Sequence, residues 1–331
     1  MRTTTTRKYS WYVTCFCLAS LVLAACSPAK HNSILQREWT ANAEFAGDVW
    51  ATSIGESHDT ALEVREGSEI IDPIKMVRTG AAQFGVASSD RVLRENENGA
   101  SLVVLAAASY RSPVVFLTQP PLAINSPRDF KGRRIGIQAG TNTELVFRAL
   151  IATVPIAASD MTVVESGWGI TNFETKTLDV IGAFAYDEPI QLDAKEVPYH
   201  TIDPQVFGVQ FVGTVYFTTR SLVDRDPKLV QSFVASIVDG WRAALDHPSE
   251  AIDMLARRFP TIDKTKELKS LQAGKPYFQG EDGKLLYASK ERWDMMAKQL
   301  ISLRVLKAFT FDENVNYRFL NEALAQKPKP N

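Results

Sequence analysis

Leu102-Val103-Val104-Leu105-Ala106-Ala107 sets six apolar residues in succession with no polar alternation. A strand with one wet face alternates, whereas an unbroken apolar run belongs to a strand covered on both faces, as in a parallel sheet between helices. The chain before it fits. Residues 34–39 read as a strand, 42–52 as a helix, 60–65 as a strand, and 83–87 as a short strand before a helix at 90–95. Asp72-Pro73 opens another helix, with proline at the first helical position, and Gly80 stops it. Alternating strands and helices of this kind mark an α/β domain.

After a composition break at 113–126 a second series begins. It holds a short helix at 127–130, a strand at 134–138, and Ala139-Gly140-Thr141-Asn142-Thr143-Glu144 opening a helix, where Thr141 and Glu144 have capping-box spacing. Strands at 162–165 and 180–184 follow, and 206–217 reads as the chain returning. From Asp226-Pro227 onward Leu229, Val230, Phe233, Ile237, Trp241 and Leu245 keep a helical spacing, and more helices begin near Pro248, after Tyr287 and after Asp312. The expected fold is therefore two α/β lobes, each a helix-covered, mostly parallel sheet. Residues 34–117 form the first part of lobe 1, 118–213 an inserted lobe 2, and 214–331 the rest of lobe 1 with the C-terminal helices. Two crossings, near 118 and 213, make a hinge and leave a cleft that suits a small ligand.

Residues 1–25 have the layout of a secretory signal: Arg2, Arg7 and Lys8, then an apolar run from Trp11 to Ala25 that is too short to span a bilayer. Leu23-Ala24-Ala25-Cys26 resembles a bacterial lipobox, so Cys26 is the expected lipidation site, with 26–33 as a polar tether on a membrane surface. The chain has 37 basic and 38 acidic residues, and without the three leader cations the balance is 34 against 38. No basic excess points to nucleic acid. All three cysteines, Cys15, Cys17 and Cys26, lie in the leader or at its end, and the four histidines are scattered singly. Neither a disulfide, a thiolate metal site nor a cysteine nucleophile is expected in the folded body, and no cofactor.

Several motifs, in order, resemble the periplasmic binding proteins related to fungal thiamine-pyrimidine synthase. They are Asn42-Ala43-Glu44-Phe45-Ala46-Gly47, Gln83-Phe84-Gly85-Val86-Ala87-Ser88-Ser89-Asp90, Ser112-Pro113-Val114-Val115-Phe116-Leu117, Ser126-Pro127-Arg128-Asp129-Phe130-Lys131-Gly132 and Tyr186-Asp187-Glu188-Pro189. The Asp239-Gly240-Trp241 helix completes the set, and the resemblance thins after about Lys264. It implies a type II periplasmic-binding-protein fold and a solute receptor that serves the permease and ATPase of an ATP-binding-cassette importer. The family's ligands include aminopyrimidine thiamine precursors, riboflavin, and sulfonates or nitrate in neighbouring branches. Its fungal enzymes have a cysteine-rich motif absent here, so binding without turnover is the expectation.

Ligands of α/β folds collect at the carboxyl ends of strands, and each candidate there has an ordinary structural alternative. Trp39 can stack on a heterocycle or pack under the next helix, and Asn42 and Phe45 face the cleft in the family but also suit a cap and a core. Ser88 and Ser89 can bind a ligand or cap a helix; Tyr110 ends a strand beside Arg111, which would grip an anion. Gly140-Thr141-Asn142 resembles an anion-cradling turn. Trp168, between two glycines, suits stacking from the opposite wall, and Tyr186 stacks or is core. Trp241 and Trp293 lie on helical stripes and read as packing. Glu188 is the foremost candidate, because the family's aminopyrimidine binders have an acid in this turn, and a carboxylate makes charge-assisted bonds to an amine and a protonated ring nitrogen. The expectation is a lipid-anchored receptor facing the periplasm or cell exterior that binds an aminopyrimidine or riboflavin. The alternatives are a sulfonate, taurine or nitrate receptor held by Thr141, Asn142 and Arg111, and a ligand-sensing envelope lipoprotein for a signalling partner.

Overall fold

The computed structural model describes residues 31–54, 58, 60–68, 70–167 and 169–326, together with Met1. The leader, Cys26 and Trp168 lie outside the described residues. The strands in chain order are β1 (His31–Gln36), β2 (Thr60–Arg65), β3 (Phe84–Ser88), β4 (Leu102–Ala107), β5 (Val114–Thr118), β6 (Arg134–Ile137), β7 (Thr162–Glu165), β8 (Val180–Phe184), β9 (His200–Ile202) and β10 (Thr214–Thr219). They form two five-stranded sheets, ordered β2-β1-β3-β10-β4 and β7-β6-β8-β5-β9. In the first, β10 runs antiparallel between β3 and β4; in the second, β5 runs antiparallel between β8 and β9. The other pairs among the described strands, β1 with β2 and β3, and β6 with β7 and β8, are parallel. This is the mostly parallel, two-lobed arrangement expected, and every residue of β4 is buried, as its apolar run requires.

Two boundaries and one helix cap differ from the sequence expectation. β1 begins at His31, so residues 31–33 belong to the sheet and not to a tether: they pair with Thr60, Ala61 and Leu62. Their polarity hid this, because parallel pairing uses main-chain groups, and the hydroxyl of buried Ser33 finds that of Thr60 at 3.2 Å. Next, β5 lies in the second sheet, whereas the sequence pattern places residues 114–117 in lobe 1. Pro120-Pro121 marks the turn after that strand. The actual passage between sheets is at 109–112, lying beside the returning segment 211–214 through Ser109 N–H to Thr214 O (3.1 Å), Gly213 N–H to Ser109 O (3.1 Å) and Ser112 N–H to Phe211 O (2.8 Å). A Cβ on Gly213 would stand 2.0 Å from Ser109 Oγ, so the two passages touch because that residue is glycine. Finally, the Thr141–Glu144 capping box does not form: Thr141 Oγ1 donates to Gln138 O (2.7 Å), and Glu144 takes the N–H of Gly140 (2.7 Å).

Asn42 caps the short helical turn Ala43–Phe45, accepting from Glu44 N–H, and the chain continues into the helix Ala46–Ile54. That helix lies along Pro227–Asp246, where Gly240 meets Gly47 and Ala51; a Cβ at 240 would stand 2.3 Å from Gly47 O and 2.7 Å from Ala51 N. These are main-chain atoms of a packed helix and cannot swing aside. Gly240→Ala is therefore expected to cost about 1–3 kcal/mol by overpacking, less any gain in helix propensity, measured as a shift of the urea midpoint. Trp241 and Trp293 are fully buried, in agreement with the packing assignment. The helix Lys264–Phe278 touches both lobes: Glu267 accepts from Ala43 N–H at 2.6 Å, and Lys266 pairs with Asp187 of lobe 2 at 2.6 Å.

Candidate functional site

Between the sheets lies a cleft of about 840 Å³, lined from lobe 1 by residues following β1, β2 and β3 and from lobe 2 by residues following β6, β7 and β8. These are carboxyl ends of parallel strands, where open α/β sheets gather their ligands because the loops and helix starts there converge. Of the candidates, Trp39, Asn42, Ser88, Thr141, Asn142 and Glu188 line this cleft.

The others do not. Phe45 is fully buried, with Arg37 over its ring at 4.2 Å and Phe259 edge-on at 5.7 Å, so it is core. Ser89 is buried and donates to Val212 O at 2.7 Å, fastening the helix Ser89–Glu97 to the returning passage. Tyr110 lies outside the lining, under Arg292 at 5.2 Å. Tyr186 is buried behind the wall: its hydroxyl donates to Glu44 across the lobes, and its ring packs on Tyr277 and Phe278. Arg111 also stands away from the cleft, stacked on Tyr277 at 4.2 Å and 3.8 Å from Asp203.

The turn proposed to cradle an anion is already occupied by the protein's own acids. Ala139 N–H donates to Glu165 (3.1 Å) and Gly140 N–H to Glu144 (2.7 Å), while the Asn142 amide donates to Asp90 of lobe 1 (2.7 Å). Asn142 is thus an interlobe tie at the base of the cleft.

Charged residues absent from the sequence candidates shape the rest. Three arginines line the cleft, and each faces carboxylates: Arg37 is bound by Asp48 and Glu44, Arg91 by Glu38 (2.7 Å) and Asp72 (2.9 Å), and Arg94 lies 3.4 Å from Asp90. Six acids share the described lining: Glu38, Glu44, Asp72, Glu165, Asp187 and Glu188. Acidic groups therefore outnumber basic ones two to one on these walls. A signal for some of this existed, since Arg37 and Glu38 directly follow β1, but nothing local tells a ligand-facing charge from a solvated one.

Glu188 opens the helix Glu188–Ala194, with Pro189 in the first turn. It is 4% exposed, and Oε2 accepts from Phe184 N–H at 2.7 Å. Burial, and then the negative charge of Asp187, push its carboxyl up to about 7, against the N–H groups of Phe184 and Glu188 and the Lys266 ammonium, which pull it down. A buried acid that titrates near neutrality in a cleft is a group whose charge a ligand can settle. Among the described residues no group of three or more His, Cys, Asp or Glu could hold a metal ion, and no helix is long and apolar enough to cross a membrane.

The profile of the family described as NMT1/THI5 like matches residues 42–251, which include parts of both walls of the cleft but not Arg37, Glu38 or Trp39. The chain belongs to the NMT1/THI5-like family. This member departs in sequence from its relatives: a Brucella abortus (strain 2308) binding protein is 20% identical over 246 residues, 70% of this chain and 75% of that one. The fold is shared with the periplasmic aliphatic sulphonate binding protein SsuA from Escherichia coli, at a TM-score of 0.68, with 12% identity over 90% of this chain and 93% of that one. It is also shared with the desulfurization enzyme DSZB, at a TM-score of 0.59 and 14% identity over 88% and 99% of the two chains. The fold thus carries both binding and catalysis, and the family profile ends before the helix Lys264–Phe278.

Proposed function

We propose that this protein is a lipid-anchored extracytoplasmic solute receptor. It closes on a small planar nitrogen heterocycle, an aminopyrimidine thiamine precursor or riboflavin, and passes it unaltered to the permease and ATPase of an ATP-binding-cassette importer. The observation that carries this reading is Glu188, a buried carboxyl on a cleft wall where acids outnumber arginines and each arginine already faces an acid. Such a wall favours a ligand that donates hydrogen bonds or carries positive charge, and it repels an anion. Trp39, 36% exposed at the rim, offers a flat face for an aromatic ring. The anchor is Cys26, which completes the lipobox at the end of the secretory leader, and the localisation is the envelope, facing the periplasm or cell exterior.

The sulfonate alternative draws on the shared fold with SsuA and on the helix start at Asn142. It loses support from the same turn, because two of its N–H groups are held by Glu165 and Glu144 and Arg111 stands elsewhere. A thermal-shift series with 4-amino-5-hydroxymethyl-2-methylpyrimidine, riboflavin, taurine and nitrate separates the two. A ligand at a hundred times its dissociation constant adds about 2.7 kcal/mol of stability. The pyrimidine or the flavin should raise the melting temperature, the anions should not, and mass spectrometry should recover the bound compound unchanged. A shift with taurine or nitrate alone, or a converted product, overturns the proposal.

A further inference from the structure

We propose that Gln138 and Thr143 form a second recognition point in the cleft, for an uncharged hydroxyl or primary-amide group on the ligand. The inference rests on the heterocycle reading and specifies what that heterocycle must carry. Gln138 follows β6 and is 5% exposed; Thr143 lies in the first turn of the helix Asn142–Ile151 and is 1% exposed. Both line the cleft. Gln138 Oε1 and Thr143 Oγ1 have no hydrogen-bond partner among the described residues. Buried polar atoms are nearly always paired, so two neighbouring ones left open on a ligand-facing wall point to a partner that arrives from outside.

The two side chains meet over Gly182 of β8: a Cβ there would stand 2.3 Å from Thr143 Cγ2 and 3.7 Å from Gln138 Oε1. Phe184, whose N–H holds Glu188, is two residues further along the same strand, roughly 7 Å away. One small ligand can therefore reach both points. The helix start adds main-chain donors, since the first N–H groups of a helix have no partner within it and Thr141 does not cap them with its side chain.

The chemistry of the group follows from these atoms. Gln138 Oε1 accepts only, so the ligand must donate to it. The opposite amide orientation is disfavoured, because the Gln138 NH₂ points to Gly167 O at 3.5 Å and a turned amide would set two oxygens against each other. An anion such as a sulfonate would oppose Oε1 and the nearby acids. A hydroxyl donates to Gln138 and accepts from Thr143 or a helix N–H, and so satisfies both sides at once; a primary amide does the same with two atoms.

Calorimetric titration of the full mature protein with 4-amino-5-hydroxymethyl-2-methylpyrimidine and with 4-amino-2,5-dimethylpyrimidine tests this, because the two probes differ by one hydroxyl. The wild type should prefer the hydroxymethyl compound by about tenfold, as for one buried hydrogen bond. Gln138→Leu and, independently, Thr143→Val should each cut that preference to below about threefold while the dimethyl compound keeps its affinity. Equal binding of the two probes to wild type, or an unchanged preference in both variants, overturns the inference and leaves the heterocycle reading standing. If neither probe binds at all, the inference falls together with the aminopyrimidine form of that reading.

Discussion

Asp48→Ala should destabilise the protein by about 3–5 kcal/mol, the cost of leaving a buried charge without its partner. Asp48 is fully buried in the helix Ala46–Ile54, where one carboxylate oxygen takes the Arg37 guanidinium and the other the Tyr216 hydroxyl. The Tyr216 oxygen accepts in turn from Trp241 Nε1 at 2.6 Å, and Arg37 continues to Glu44, which holds Tyr186 of the other lobe. Removing the carboxylate strands a cation that is 2% exposed on the cleft wall and opens a chain of bonds from the lobe 1 core to lobe 2. Urea denaturation of the unliganded protein measures the effect. Asp48→Asn should lose less, since an amide still accepts from Tyr216 or Arg37. A loss below about 1 kcal/mol for Asp48→Ala would show that water or a rearranged Glu44 replaces the carboxylate.

Glu188→Gln should weaken an aminopyrimidine by about 1.5–3 kcal/mol, roughly ten- to a hundredfold in dissociation constant, through loss of a charged hydrogen bond. The same change should leave taurine bound as well as before or better. The pH dependence has a definite sign. Glu188 titrates at about 7 in the empty cleft, and an amine-bearing ligand needs the carboxylate, so affinity is full above pH 7 and falls as the pH drops through it. For a ligand whose own charge is constant there, the fall approaches tenfold per pH unit, and Glu188→Gln should flatten it. Stability runs the other way. The folded state holds this proton more tightly than the ordinary value of 4.5 allows, so the contribution of Glu188 to stability declines as pH rises from 4.5 to about 7. The empty Glu188→Gln protein should then melt higher than wild type at pH 8. Calorimetry at pH 6, 7 and 8 checks all three, and an undiminished pyrimidine affinity in the variant discards the aminopyrimidine reading.

Much of the cleft's location was legible along the chain. The unbroken run at 102–107, the Asp72-Pro73 helix start and Glu188 beyond the strand at 180–184 depend on local periodicity and on proline and side-chain capping, which operate within a few residues. What faces the ligand was less so. Tyr186 sits beside Glu188 in sequence, yet its hydroxyl is taken by Glu44, 142 residues earlier. The Gly140 turn carries every mark of an anion cradle, but Glu165 reaches it from the neighbouring strand.

By itself the sequence determined the alternation of elements, the apolar faces that bury them and the strand ends at which a ligand collects, because each follows from spacings of two to four residues. Only the tertiary structure decided which charges stay available in the cleft. An arginine, a serine or a backbone N–H has the same local pattern whether a distant partner has already claimed it or not, and the partner is supplied by how the two sheets are set against each other.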